Sequence, residues 1–365
     1  MRVLFLADIN SSHVQKWVTS LANSGFEIFV FTLSPCISNW SQKKNIRVFY
    51  APYGHTKNNN LVSKLSYLRN VFFLKKCIAE IKPDIVHAHY ATSYGLLGNL
   101  AGFRPLIISV WGSDVLDFPA KSFIHSYILS RNLKSAFAVC STSNSLTKEV
   151  LRLTGIKAVQ IPFGVDTSVF KPDNSQHPVP STTITIGTIK ALESIYRIDL
   201  LLASFAMVKA KFDSLNLKLL LVGDGSLMNE LKLMAEKLGI SNDVVFAGKI
   251  AYDHIVDYHN AIDIFVNVSS YESFGVSVLE SSACSKPVIV TNTEGLNEVV
   301  VDKETGYLVS LGNVNDVAEK LEWLVSDVHL RISLGERGRK FVKRNYEWKN
   351  CVEQMKDLYF KCSKA

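Results

Sequence analysis

Short apolar runs and amphipathic stretches alternate from one end of the chain to the other. Runs of branched and aromatic residues at 3–7, 28–32, 85–89, 106–110 and 137–140 in the first half, and at 183–188, 218–222, 244–247, 264–268 and 287–291 in the second, predict β-strands. Such apolar runs fit strands buried on both faces of a parallel sheet, and the stretches between them predict the covering helices. The chain closes on three helical stretches, 315–326, 330–345 and 348–361, with Asn315 as N-cap of the first. The fold class expected is α/β, with two Rossmann-like doubly wound domains.

Between the two sets of strands, residues 170–182 crowd together Pro172, Asp173, Asn174, Ser175, Pro178 and Pro180, a composition that favours an exposed, extended linker. The boundary is therefore set at 172/173. Residues 1–172 form an N-terminal domain, 173–345 a C-terminal domain, and 346–365 a C-terminal helix able to cross back to the first. Two such domains facing each other leave a cleft at the carboxyl ends of their strands, where open α/β sheets bind ligands.

A chain of 365 residues with 47% apolar and 20% charged positions can bury two such cores without disulfides or metals. The six cysteines are scattered, with no C-x-x-C pair or metal-ligand spacing, which fits a reducing compartment. The amino terminus, MRVLFLADIN, lacks the regions of a signal peptide, and no apolar run approaches the ~20 residues of a spanning helix, so a cytoplasmic protein is expected. Residues 1–172 carry 19 Lys and Arg against 8 Asp and Glu, whereas 173–365 carry 21 against 25. The first half is thus basic, and it either faces an anionic partner or presents a solvated basic face. Residues 61–80 read as a helix with Leu65, Leu68, Phe72 and Ile78 apolar and Lys64, Arg69, Lys75 and Lys76 on other sides; it either lies in a lipid interface or packs on its own domain. Together with the basic balance it suggests a peripheral contact with an anionic membrane, at the inner face of the cell membrane.

The richest segment is 267–291, NVSSYESFGVSVLESSACSKPVIVT. A strand ends near Val268, a polar turn follows, and Phe274 and Gly275 open a helix. The backbone N–H groups of Gly275, Val276 and Ser277 are then unpaired donors of a first helical turn, suited to a diphosphate, and Gly275 lets a phosphate oxygen come close. Glu280, inside the helix, can accept two hydrogens from a ribose diol, and Glu272, ahead of it, can hold sugar hydroxyls. An isolated glutamate pair at this spacing is ordinarily two surface carboxylates; the strand, turn, glycine and helix around it set this one apart.

Glu272 and Glu280 are separated by seven residues in the frame E-S-F-G-V-S-V-L-E, followed by K-P-V-I-V. This resembles the signature of family 4 of the retaining glycosyltransferases, of the bacterial polysaccharide or lipid-linked glycan type, which have the GT-B fold. IKPDIVHAHY at 81–90, VWGSDV at 110–115, IPFGVDTSVF at 161–170, LVGDG at 221–225 and VFAG at 245–248 extend the resemblance over nearly the whole chain. It implies that Glu280 binds ribose, that Glu272 contacts the transferred sugar, that Gly248, Lys249 and Ile250 lie beside the base, and that Phe274, Gly275, Val276 and Ser277 bind the diphosphate. It also implies cations from the loop at 186–199. Many relatives have Arg where Thr188 stands, and Lys near Tyr196. Lys190 is therefore taken first, and Arg197 second, as replacements.

Trp111 stands where many relatives place a histidine, and the first loop, 8–13, lacks the paired glycines common in them. His13, His89 and Asp114 are the acceptor-side candidates, with His87 a further polar group nearby. The activity implied is retaining transfer of a hexose or N-acetylhexosamine from a nucleoside-diphosphate sugar, taken as a UDP-sugar, to a glycan or lipid-linked glycan acceptor. No D-x-D cluster is present, so no metal and no other cofactor is expected. Alternatives are a nucleotide-sugar epimerase on the same scaffold or a catalytically inactive scaffold subunit. No G-x-G-x-x-G and no nucleic-acid reading motif occurs, so a dehydrogenase and a nucleic-acid partner are not expected.

Overall fold

The computed structural model describes residues 1–37, 39–41, 45–53, 66–173 and 183–364. Two compact units emerge, Met1–Pro162 with Asn350–Ala365, and Phe163–Lys349. By packing, the ten residues before the expected boundary thus go with the second unit, and all but the first two residues of the last helix, Trp348–Ser363, go with the first. Residues 174–182 of the expected linker and 61–65 of the expected basic helix lie outside the described residues.

The first unit holds a seven-stranded sheet of order β3-β2-β1-β4-β5-β6-β7. Its strands are β1 (Arg2–Leu6), β2 (Glu27–Thr32), β3 (Ile46–Tyr50), β4 (Ile85–His89), β5 (Leu106–Val110), β6 (Ala138–Ser141) and β7 (Val159–Gln160). The second holds a six-stranded sheet, β10-β9-β8-β11-β12-β13, made of β8 (Thr183–Ile189), β9 (Asn216–Val222), β10 (Val244–Gly248), β11 (Ile264–Asn267), β12 (Val288–Thr291) and β13 (Gly306–Val309). Every strand pair in both sheets is parallel. All ten expected strands are present. The pattern missed β3, β7 and β13, which lie at sheet edges, where strands are short or half-exposed and lack a continuous apolar run.

The helix Val314–Ser326 is capped by Asn313, whose side chain accepts from Asp316 N at 3.1 Å, and not by Asn315, which the structure places inside the helix. The expected basic helix is a turn at Ser66–Arg69 followed by a helix Asn70–Ile81, with Leu74, Cys77 and Ile81 in the core and Leu68 and Ile78 packed against it. Of its expected apolar positions within the described residues only Phe72 is exposed, so this helix packs on its own unit.

The last helix, Trp348–Ser363, is fastened to the first unit through Tyr359. His87, at the middle of β4, places Nδ1 2.6 Å from Tyr359 Oη and Nε2 2.8 Å from Ser109 Oγ, all buried. Each hydroxyl can donate or accept, so the network accommodates either neutral tautomer of His87. Burial lowers its pKa from 6.5 to about 3. The unfolded chain therefore binds a proton that the folded chain refuses, and the contribution of His87, fully present above pH 6.5, declines as pH falls toward 3. Urea unfolding is expected to show a midpoint that drops across this window, less steeply in His87→Gln; parallel profiles for the two proteins would refute the assignment.

Candidate functional site

Strand order reverses in the second unit between β8 and β11, and the loops leaving the carboxyl ends of these neighbours are the natural ligand loops of an open α/β sheet. The loop after β8 carries Lys190. Its main chain is held by Lys190 N to Val222 O at 2.9 Å and Leu192 N to Asp224 O at 3.0 Å. Gly223, at φ 139°, lies so close that a Cβ there would sit 1.8 Å from Lys190 O, which explains the first glycine of LVGDG. The loop after β11 carries Glu272 and is tied to the first by Ser270 N to Ile195 O at 2.8 Å. A Cβ on Gly295, in the loop after β12, would sit 2.1 Å from Glu272 O, so only glycine lets this third loop close behind Glu272.

The two loops bring together side chains 82 positions apart. Lys190 Nζ and Glu272 Oε2 form an ion pair, with side chains 13% and 14% exposed. Asn267 Nδ2 also approaches Glu272 Oε2, at 3.4 Å, and the ammonium lies 4.9 Å from the centre of the Tyr196 ring. Lys190 is thus turned inward rather than into solvent. Arg197 does not join the pair; its guanidinium binds Asp199 at 3.0 Å, from a residue at φ 50°.

The helix Val276–Ala283 starts from Gly275 at φ 92°, a conformation that favours glycine, and a Cβ there would also meet Leu296 Cδ2 at 2.9 Å. Its first bonds run from Val278 N and Leu279 N back to Gly275 O, which leaves the N–H groups of Gly275, Val276 and Ser277 without an acceptor inside the helix. The Ser277 and Thr293 hydroxyls are buried without a hydrogen-bond partner among the described residues. Unsatisfied donors collected at one helix start suit an anion with several oxygens. Phe274 has a different part. It is buried against Phe163 and Tyr346 at ring distances of 6.3 and 5.7 Å, and so anchors the turn.

Glu280 is buried about one turn into this helix, where Oε1 accepts from Tyr252 Oη at 2.9 Å and Oε2 lies 3.3 Å from His259 Nε2. His259 Nδ1 lies 2.7 Å from Ser281 Oγ, so the ring is held at both nitrogens. Burial first, and the facing Glu280 carboxylate second, push the Tyr252 phenol upward, so it stays a proton donor. Gly248, at φ 72°, accepts from Gly223 N at 2.8 Å and starts the turn through Lys249 and Ile250 that delivers Tyr252. Among the described residues no cluster of three or more His, Cys, Asp or Glu is arranged to hold a metal ion.

In the first unit, strand order reverses between β1 and β4. His13 follows β1, His89 ends β4, and Trp111 follows β5; the rings of His89 and His13 lie 4.9 and 5.9 Å from that of Trp111. Both His89 ring nitrogens are buried without a hydrogen-bond partner among the described residues, and burial, with His87 and His13 nearby, holds this imidazole neutral. Asp114 is fully buried, and its carboxylate accepts from the main-chain N–H groups of Ala91, Trp111 and Gly112 at 2.8, 3.0 and 2.9 Å. Burial raises its pKa and these bonds oppose the rise, so it ties together the loops after β4 and β5.

Residues 169–341 match the family described as Glycosyl transferases group 1, and residues 2–143 match Glycosyl transferase 4-like. The chain belongs to the group 1 glycosyltransferases. This glycosyltransferase is 27% identical over 330 residues to the N-acetyl-alpha-D-glucosaminyl L-malate synthase of Bacillus anthracis, covering 86% of this chain and 85% of that one. Its fold is GT-B. The sucrose-phosphate synthase of Thermosynechococcus elongatus superposes with a TM-score of 0.85 at 20% identity over 99% of this chain and 98% of that one. HepE of Anabaena does so with 0.81 at 18% identity, over 99% and 100%.

Sequence reasoning named both glutamates, Lys190 and the helix start of the transferase, but not Tyr252, His259, Asn267 or Thr293. None of these four sits in a motif quoted for the resemblance, although Asn267 opens the segment 267–291. His259 in particular lies in a helical stretch whose spacing marks it only as inward-facing.

Proposed function

We propose that the chain transfers a sugar from a nucleoside-diphosphate sugar to a glycan or lipid-linked glycan acceptor, with the donor held by the second unit. The Lys190–Glu272 pair beside the helix start at Gly275 carries this reading. The anomeric C–O bond breaks with its electron pair passing to the diphosphate, whose growing charge meets the Lys190 ammonium and the helix N-terminus. Glu272 holds hydroxyls of the sugar, and Glu280, oriented by Tyr252 and His259, holds the ribose diol. The acceptor oxygen forms the new bond on the same face, and its proton passes to the departing diphosphate, so configuration is retained and no metal is needed.

A UDP-sugar is the donor proposed. HepE, alike in fold, has been crystallised with UDP and with UDP-glucose, which supports the choice. A panel of nucleotide-sugars screened by thermal shift is expected to raise the unfolding temperature most with the UDP series, and transfer to a glycan acceptor is expected to persist in EDTA with retained configuration by NMR. A melting temperature unmoved by every nucleotide-sugar would end the proposal.

A further inference from the structure

The helix Phe123–Lys134 has two apolar sides, and only one of them faces the protein. Leu129 and Leu133, with Asn132, are buried in the first unit, and Asn132 Nδ2 donates to Ala91 O at 2.5 Å. On the other side Phe123, Ile124, Tyr127 and Ile128 are 84%, 66%, 58% and 40% exposed. Single exposed apolar residues are ordinary; two aromatics and two isoleucines sharing one outward face are a patch that marks an interaction surface. The helix Asn70–Ile81 shows only Phe72 outward, so the basic helix singled out in the sequence lacks such a face.

Charge selects the occupant. Between Lys121 and Lys134 there is no acidic residue, and the patch is bracketed by Lys121 at one end and by Arg131 and Lys134 at the other, all exposed. The nearest acidic residue in sequence is Asp117, and on the neighbouring helix Asn144–Thr154 Glu149 is occupied by Arg152 at 2.6 Å. An isologous contact with a second copy would set these cations close to one another. An anionic bilayer instead takes the aromatic and aliphatic side chains between its headgroups and the cations at its phosphates.

We propose that the outward face of helix Phe123–Lys134 docks the protein on an anionic membrane surface. The helix is joined to the β5 loop that carries Trp111 and Asp114 by the short helix Asp117–Ala120, so docking presents that end of the first unit to an acceptor held in the bilayer. The lipid-linked acceptor rests on the proposed function; the docking surface does not.

Flotation of the full chain with phosphatidylglycerol–phosphatidylethanolamine vesicles, against phosphatidylcholine vesicles, tests it. The native protein is expected to float with the anionic vesicles and to be released by high salt. Both Phe123→Ser with Tyr127→Ser, and Lys121→Glu with Arg131→Glu, are expected to lower the partition coefficient by about tenfold or more. Because these side chains are outward, melting temperature and the UDP-induced thermal shift are expected to stay unchanged. Loss of that shift in the native protein would strike at the donor reading alone. Native protein that stays with the pellet, serine variants that float unchanged, or a native dimer that the serine variants turn into a monomer would each overturn the docking surface.

Discussion

Lys190→Ala is expected to lower kcat by about 10²–10³-fold while weakening donor binding by only about tenfold, because the charge it meets grows as the diphosphate departs. Its ammonium is paired with the carboxylate that precedes the Gly275 helix start by three residues, and both side chains are mostly buried, where a full charge is only weakly screened by water. Removing it also strands Glu272, a carboxylate left largely out of water without its cation, and the structural cost approaches about 3–5 kcal/mol in the fully buried limit. Adding Glu272→Gln removes that stranded charge, so the double variant is expected to recover thermal stability but not turnover. Pre-steady-state kinetics beside calorimetry separates these readouts. A Lys190→Ala protein with native kcat would show that the pair is structural and that the leaving group is stabilised elsewhere.

Glu280→Ala is expected to weaken UDP binding by about ten- to 150-fold, the equivalent of ~1.5–3 kcal/mol for hydrogen bonds to a charged group, with kcat at saturation little changed. The carboxylate is already oriented before the donor arrives, by Tyr252 Oη at 2.9 Å and by His259 at 3.3 Å. Preorganisation of this kind means that the donor does not have to order the side chain it binds. Calorimetry with UDP measures the loss directly. Tyr252→Phe, which removes one oriented bond and leaves the charge, is expected to give a smaller loss, and an unchanged dissociation constant in Glu280→Ala would remove the ribose assignment.

Much of the fold is legible in the chain because burial on both faces of a parallel strand favours a mostly apolar run rich in branched residues, and ten of the thirteen strands are legible by one. Three of the four edge strands, β3, β7 and β13, are not, and the helix is capped two positions before the expected Asn315 because an asparagine at either place satisfies the same local rule. The helix start at Gly275 and the spacing of Glu272 and Glu280 are likewise local, since a turn, a glycine and one helix set them.

What needed the tertiary structure is every relation between distant segments. Lys190 and Glu272 meet because β8 and β11 are neighbours in the sheet, a pairing that no local pattern encodes. Tyr252 and His259 reach Glu280 from a separate turn and helix, and Asp114, which reads as a candidate ligand, is consumed by three main-chain N–H groups. Helix Phe123–Lys134 makes the point most plainly. Its sequence offers two apolar sides, and only packing beside the helices Tyr94–Ala101 and Asn144–Thr154 decided that Leu129 and Leu133 go in while Phe123 and Tyr127 stay out. Periodicity along a chain fixes which residues share a face; which face is covered depends on what else folds beside it, and that is a property of the packed whole.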